Sequence, residues 1–323
     1  MRLTFAAWMM VVFCRLAVAS DEDVLELRKT GDAYRFVLRT TGKEFAVMVP
    51  DAWQGNVQIL SPSGVHCGVV WPHFLANSEG KWLTDKVESE GMKLVDFEVL
   101  QSSGQVIGYR GEWKFRDSFS SSVTHFTWYE SGKSTQVHLV RTQLRIIKDL
   151  EDITSTWVEF MTLENSYATT AAMVKGGAVV TMDVSKTGRE RNMHYWDGME
   201  LADGGWITIY GAGSPTNQGG CAAFVPLTHR PGPMRPRINN GHVDNIEIHM
   251  LDARKRNRLN TGQEFFLEYL LIAGPDEKDW KWIAPAVERA RAFMEQSKTL
   301  LNARQGRVKV EHGAEGDAAS RAP

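Results

Sequence analysis

The stretch EFFLEYLLI, Glu264–Ile272, decides the fold. Successive side chains of a strand point to opposite faces, and this run is apolar on both. TWVEFMTL, Thr156–Leu163, is of the same kind. Strands covered on both sides belong in the middle of stacked layers. Around them the chain is rich in short segments of Val, Ile, Thr and aromatics, such as YRFVLRT, VIGYRGEWKF, SVTHFTWYE and TQVHLVRTQLRII. Turn signals of the SG, TG and QG type punctuate them. Several segments alternate: Ile246, Ile248 and Met250 fall on one face and Glu247 and His249 on the other. No helices of 10–15 residues alternate with the strands, which disfavours a parallel α/β fold. The reading is mainly β, a large antiparallel β-sandwich.

One helix is expected near the end of the chain. Ile283, Val287, Ala290, Phe293 and Met294 recur at three- and four-residue steps. Asp276 or Asp279 is the expected cap, and Pro285 marks a break or a first turn. The helix is amphipathic and should pack against the sandwich.

Arg2 is followed by the apolar run LTFAAWMMVVFC and then by Ala17-Val18-Ala19. That is the layout of a secretory signal peptide, residues 1–19. The run is too short to span a bilayer, which takes about 20 apolar residues. The expectation is export to a periplasmic or extracellular space, with no membrane span in the mature protein. Residues 20–303 then form a single β-sandwich domain, and the small, polar residues 304–323 a disordered tail. The net charge of −2 gives no general polyanion surface and argues against nucleic acid as a partner. Cys67 and Cys221 could pair in an oxidising compartment, or each could be a buried small hydrophobe.

Strong catalytic motifs are missing from the sequence: it has no G-x-S-x-G, H-E-x-x-H, P-loop or Rossmann glycine pattern. Gly211–Gly220 is glycine-rich, but a strand pattern follows it where a phosphate cradle needs a helix. The histidines are scattered, with no H-x-H or H-x-x-x-H pair, so no metal is assigned, and no cofactor either.

Three segments carry candidate chemistry. PLTHRPGPMRPRINNGH, Pro226–His242, holds four prolines, no acid, and His229, Arg230, Arg235, Arg237 and His242. Proline cannot donate to a sheet ladder, so the segment reads as a stiffened cationic loop. Arginine on such a loop suits a planar carboxylate through paired bonds. HYWDGMELADGGW, His194–Trp206, sets an imidazole beside Tyr195 and Trp196 and the carboxylates Asp197 and Glu200. Ring stacking beside hydroxyl acceptors suits a sugar. VVWPHFLANSEGKW, Val69–Trp82, places His73 after Trp71-Pro72. Each segment also has a structural reading: a basic connection, a strand end with buried aromatics, a satisfied histidine. Glu159, inside its apolar strand, needs a partner or a raised pKa; the sequence does not identify the partner, and Arg141 and Arg145 are plausible ones.

LNTGQEFFLEYLLIAGP, Leu259–Pro275, followed by a helix, resembles the close of mutarotase-like β-supersandwich domains. In those domains a turn, a Gly, a Glu and a long apolar strand complete a sheet before a final helix. The resemblance covers the strand architecture from Asp23 to Asn302 loosely. It implies a concave sheet face that binds carbohydrate and carries His and carboxylate side chains. Polysaccharide lyases share this fold, so it leaves function open.

The resulting expectation is an exported carbohydrate-active protein that acts on or binds a glycan, foremost an acidic one, through a lyase-like or mutarotase-like site. His194, Tyr195 and His229 are the candidate acids and bases. His73, Trp196, Arg235, Arg237 and His242 are the candidate substrate contacts. The alternative is a non-catalytic carbohydrate-binding or envelope interaction module of the same fold. The two differ physically: an enzyme brings a His or Tyr to a pocket that also holds Arg and a carboxylate.

Overall fold

The computed structural model describes residues 24–51, 55–61, 64, 66–70, 74–77, 92–161, 170–175, 177–183, 194–195, 201, 205–210, 222–230, 234–239, 245–251, 255–274 and 280–303. Residues 1–23 and 304–323, and with them the expected signal peptide and terminal tail, lie outside these residues, as do His73, Trp196, Cys221 and His242.

The strands run in chain order as β1 Leu25–Thr30, β2 Ala33–Leu38, β3 Glu44–Met48, β4 Val57–Leu60, β5 His66–Val70, β6 Phe74–Asn77 and β7 Met92–Gln101. Then come β8 Ser103–Gly104, β9 Val106–Phe115, β10 Phe119–Glu130, β11 Thr135–Ile146, β12 Leu150–Met161, β13 Thr170–Lys175 and β14 Ala178–Asp183. The last third holds β15 His194–Tyr195, β16 Ile207–Tyr210, β17 Ala222–Arg230, β18 Arg235–Asn239, β19 Asn245–His249, β20 Asn257–Leu259 and β21 Glu264–Ala273. Two helices close the described chain, α1 Ile283–Gln296 and α2 Lys298–Ala303.

The strands form three antiparallel sheets. A nine-stranded sheet has the order β14-β13-β16-β17-β21-β11-β10-β9-β7. A six-stranded sheet runs β5-β4-β3-β2-β1-β8, and a second runs β15-β18-β19-β12-β20 with β6 also paired to β12. The β1–β2 hairpin turns on Gly31-Asp32, with Gly31 at φ +59°, a conformation an L side chain resists.

One face of the nine-stranded sheet and both six-stranded sheets share a continuous core. Tyr109, Trp113, Phe224 and Phe265 meet Phe36 and Phe45 from one sheet and Ile246 and Ile248 from the other. On the opposite face, α1 covers one half. Ile283, Ala286, Val287 and Ala290 pack over Phe126, Val137, Leu139, Leu270 and Ile272, and Phe293 stacks on Trp128 at 4.8 Å. The two-faced character of β21 follows: Phe265, Leu267, Tyr269 and Leu271 enter the shared core, while Leu270 and Ile272 meet the helix.

Three expectations are corrected. The helix begins after Trp282 at its N-cap, with no side-chain cap bond, so neither Asp276 nor Asp279 caps it. Pro285 sits in the first turn, where its missing N–H costs nothing. The Pro226–His242 segment is not one loop: Pro226–Arg230 ends β17, and Arg235–Asn239 is β18, between β15 and β19. Pro226 is tolerated because the register slips between Pro226 and Thr228, where an irregular strand needs no ladder bond. Pro236 is tolerated because β15 pairs only with Ile238 and Asn239, leaving the stretch beside Pro236 without a described partner on that side. Finally, Arg141 and Arg145 serve Glu268 and Glu264, not Glu159. Each arginine is bound by its in-register neighbour on β21, whereas Glu159 belongs to another sheet.

Candidate functional site

The half of the nine-stranded sheet that α1 leaves open is polar. Directly opposed residues of an antiparallel sheet share a face. One row crosses six strands: Glu98 on β7, Arg110 on β9, Thr124 on β10, Arg141 on β11, Glu268 on β21 and Thr228 on β17. The next row holds Glu112, Ser122, Gln143, Phe266 and Arg230. A cleft of about 300 Å³ opens over both rows. Glu98, Arg110, Arg141 and Gln143 surround it; Ser122 and Thr124 contribute hydroxyls; Leu100, Phe126 and Phe266 contribute apolar surface.

The arginines of the cleft are held differently. Arg141 donates from Nε to Glu268 Oε1 at 2.7 Å and from Nη1 to the Leu301 carbonyl at 3.5 Å. Both side chains of the pair are about one-fifth exposed, at 20% and 17%. This pair joins the sheet to α2. Arg110 is exposed and lies in register between Glu98 and Thr124. The Arg230 guanidinium sits 5.4 Å from the Phe266 ring centroid, a cation–π contact at the cleft margin.

Beneath the cleft, on the core face of the same strands, lies a fully buried polar cluster. His125 Nε2 and His138 Nδ1 are 3.0 Å apart, and Thr127 Oγ1 is 3.1 Å from the first and 3.0 Å from the second. Burial pushes the His138 imidazole down to about 3. His125 is also held well below the ordinary histidine value, by burial with a smaller electrostatic contribution from His138. Burial raises both the Tyr109 and Tyr269 phenols, and Tyr109 adds a smaller electrostatic push on Tyr269. The cluster is therefore neutral at ordinary pH.

A second buried pair occupies the β15–β18–β19 sheet. His249 Nε2 lies 3.2 Å from Glu247 Oε2, so the imidazole N–H donates to the carboxylate; the side chains are 0% and 2% exposed. The register sets Arg235 and Trp157 on either side of His249, and Arg237 and Glu159 on either side of Glu247.

The residues singled out in the sequence divide between these places. His194 and Tyr195 form β15 and pair with Asn239 and Ile238 of β18, the strand of Arg235 and Arg237. His194-Tyr195 and the RPR segment thus lie on neighbouring strands. Arg235 is half-buried, while the side chains of His194, Tyr195 and Arg237 are outside the described ones. His229 is on β17 of the nine-stranded sheet, opposite Leu267 and half-buried. It belongs to a different sheet from the other two candidate acids and bases. Cys67 is buried in the shared core.

Of the residues around the open cleft, sequence reasoning named only Arg141 and Arg230, and neither as part of this site. A signal existed: at the same end of β9, β10 and β11 every second residue turns polar, and on β21 the matching positions are polar on either side of Phe266. The sets are Arg110, Glu112 and Lys114; Ser120, Ser122 and Thr124; Arg141, Gln143 and Arg145; Glu264 and Glu268.

Fold and site together define an antiparallel β-sandwich with a polar cleft on an open sheet face. No protein-family model matches the chain, and no curated protein matches it in sequence. Among solved structures it is similar to the GH36 alpha-galactosidase AgaA from Geobacillus stearothermophilus, with a TM-score of 0.40 and 8% identity over 64% of this chain and 30% of that one. AgaB from the same organism gives 0.42 and 9%, over 80% and 40%. The alpha-N-acetylgalactosaminidase NagBb from Bifidobacterium bifidum gives 0.38 and 11%, over 86% and 39%. The chain spans less than half the length of these enzymes. TM-scores below 0.5 transfer no chemistry to this chain, whose site rests on its own residues.

Proposed function

We propose that this protein is an exported glycan-binding β-sandwich protein whose ligand occupies the cleft on the nine-stranded sheet. One observation carries the reading: two in-register rows of polar side chains, the second of which also carries Phe266, line a cleft of about 300 Å³. A sugar needs an apolar surface for its C–H face and convergent donors and acceptors for its hydroxyls. Phe266, Ser122, Thr124, Gln143, Arg141 and Glu98 supply both. The arginines here lie beside carboxylates in register, which suits hydroxyl recognition better than neutralising an anion. The described residues lining the cleft include no His or Tyr, so binding is favoured over acid–base catalysis.

The test is affinity electrophoresis of the full chain through gels containing soluble starch, arabinogalactan, xylan, laminarin or alginate. Retardation in at least one gel is expected. Phe266→Ala should weaken it tenfold or more, a loss of about 1.4 kcal/mol, with an unchanged unfolding temperature. Unretarded migration in every gel ends the reading.

A second reading is a lyase-like or mutarotase-like site on an acidic glycan at the β15–β18–β19 sheet, using His194, Tyr195, Arg235 and Arg237. The buried Glu247–His249 pair beside Arg235 in register favours it, because a carboxylate that orients an imidazole is a common catalytic support. Incubation with alginate or pectate should then generate ultraviolet-absorbing unsaturated ends, and Arg235→Ala should abolish them. Unchanged substrate after prolonged incubation removes this reading and leaves the first.

A further inference from the structure

The shape of the open sheet face carries the glycan reading one step further. The exposed side of β10 bears only short hydroxylated side chains at its open end, Ser120, Ser122 and Thr124, all half-buried. Its two neighbours bear long ones. In register, Ser120 lies between Lys114 and Arg145, Ser122 between Glu112 and Gln143, and Thr124 between Arg110 and Arg141. Short residues flanked on both sides by long ones make a trough running along β10. Adjacent strands are about 4.8 Å apart, so the backbones of the two walls are about 10 Å apart, which admits one sugar ring between them. From Ser120 to Thr124 the floor runs about 14 Å.

The trough is closed at one end. Beyond Thr124 the next outward residue of β10 is Phe126, 3% exposed and packed with the apolar layer beneath α1. Leu100 stands beside it as a half-buried member of that layer. Leu301 of α2, 2% exposed, is tied by its carbonyl to Arg141 in the Thr124 row. Toward Ser120 the described walls, Lys114 and Arg145, are exposed.

We infer that the cleft recognises a glycan by its chain end: the terminal sugar abuts Phe126 and Leu100 while the following sugars lead out along β10 over Ser122 and Ser120. This rests on the glycan reading above. An internal segment of a polysaccharide must leave a site at both ends, and the apolar layer blocks one exit. A terminal ring needs only one exit, and its apolar face meets the wall that Phe126 and Leu100 provide.

The experiment compares soluble starch, arabinogalactan, xylan and laminarin, each intact and after partial hydrolysis that raises the number of chain ends at constant mass. Binding of the full chain is measured by isothermal titration. For the polysaccharide that binds, sites per unit mass should rise in proportion to chain ends. Equal site densities before and after hydrolysis overturn chain-end recognition while preserving the glycan reading. Absence of binding to every polymer and every hydrolysate, with alginate and its hydrolysate included in the panel, overturns both. As an independent check, Ser122→Arg places a long side chain on the trough floor. It should cut affinity for the hydrolysate more than tenfold at an unchanged unfolding temperature. Undiminished affinity in this variant overturns the trough as the binding route.

Discussion

The imidazoles of His125 and His138 meet Nε2 to Nδ1 at 3.0 Å, fully buried between the nine-stranded sheet and the rest of the core. Both imidazoles are held neutral by burial, His138 down to about 3. In the unfolded chain each titrates near an ordinary value of about 6.5. Below that pH the unfolded state takes up protons that the folded state refuses, so stability falls as pH falls. Thermal unfolding followed from pH 8 to pH 4 should show a plateau above about 6.5 and a steep decline below it. Each imidazole contributes a slope of about 1.4 kcal/mol per pH unit. His138→Gln should make the decline shallower, and an equal decline in that variant refutes the assignment.

The Arg141–Glu268 pair both borders the cleft and ties α2 to the sheet. Arg141→Ala removes one partner of a partly buried pair, and a loss of about 2 kcal/mol of stability is expected. Glycan affinity should fall with it. Glu268→Gln keeps an acceptor for Arg141 and should cost less than half as much in denaturant unfolding. Equal costs for the two variants would mean that the pair contributes no stability through its hydrogen bond.

Trp113 occupies space that side chains at Gly55 and Gly111 would need, and its indole N–H donates to the Pro50 carbonyl at 3.0 Å. Gly55 also has φ +69°, where a side chain is strained. Gly111→Ala should destabilise by about 3 kcal/mol through overpacking. Trp113→Phe in the same chain should recover part of that loss, which a double-mutant cycle by urea unfolding measures. A Gly111→Ala variant as stable as the parent rules out the close contact.

Helix α1 shields an apolar half-sheet, with Val287 at its centre, 3% exposed. Val287→Asp buries an unpaired carboxylate and should release the helix from the sheet. The expected readouts are a rise in fluorescence of a dye that binds apolar surface and a tendency to self-associate. Phe293→Ala, which loses the stacking on Trp128, should give a smaller effect of the same sign. A dye signal equal to the parent's in both variants shows that the helix is not what covers this face.

The layered architecture was legible in EFFLEYLLI because a strand with two apolar faces has only one kind of place to go, between layers. The helix was equally legible from the spacing of Ile283, Val287 and Ala290, since burial on one face imposes that spacing. Its cap was not, because Trp282 caps it by backbone geometry alone and leaves no residue signature. Strand β18 was hidden by Pro236, which forbids a ladder bond but lies where the described part of β15 makes none with it. The trough was hidden for a different reason. Its floor and walls come from β9, β10 and β11, and each contributes an ordinary alternation that becomes a site only when the strands are laid in register. Reading along the chain grouped His229 with Arg235, neighbours in sequence that fold into separate sheets.

The position of β21 sets the order in which the molecule can be completed. This strand joins β17 to β11 and so links two four-stranded halves of the large sheet, yet it is synthesised after the twenty other described strands. Until Glu264–Ala273 leaves the ribosome, β11 and β17 each present an open edge, the kind that pairs with whatever strand is nearest. Contacts so distant along the chain close slowly. From the completion of β17 at Arg230 until β21 emerges, a nascent chain of this protein therefore carries two unfinished half-sheets, and β21 alone decides whether they become one.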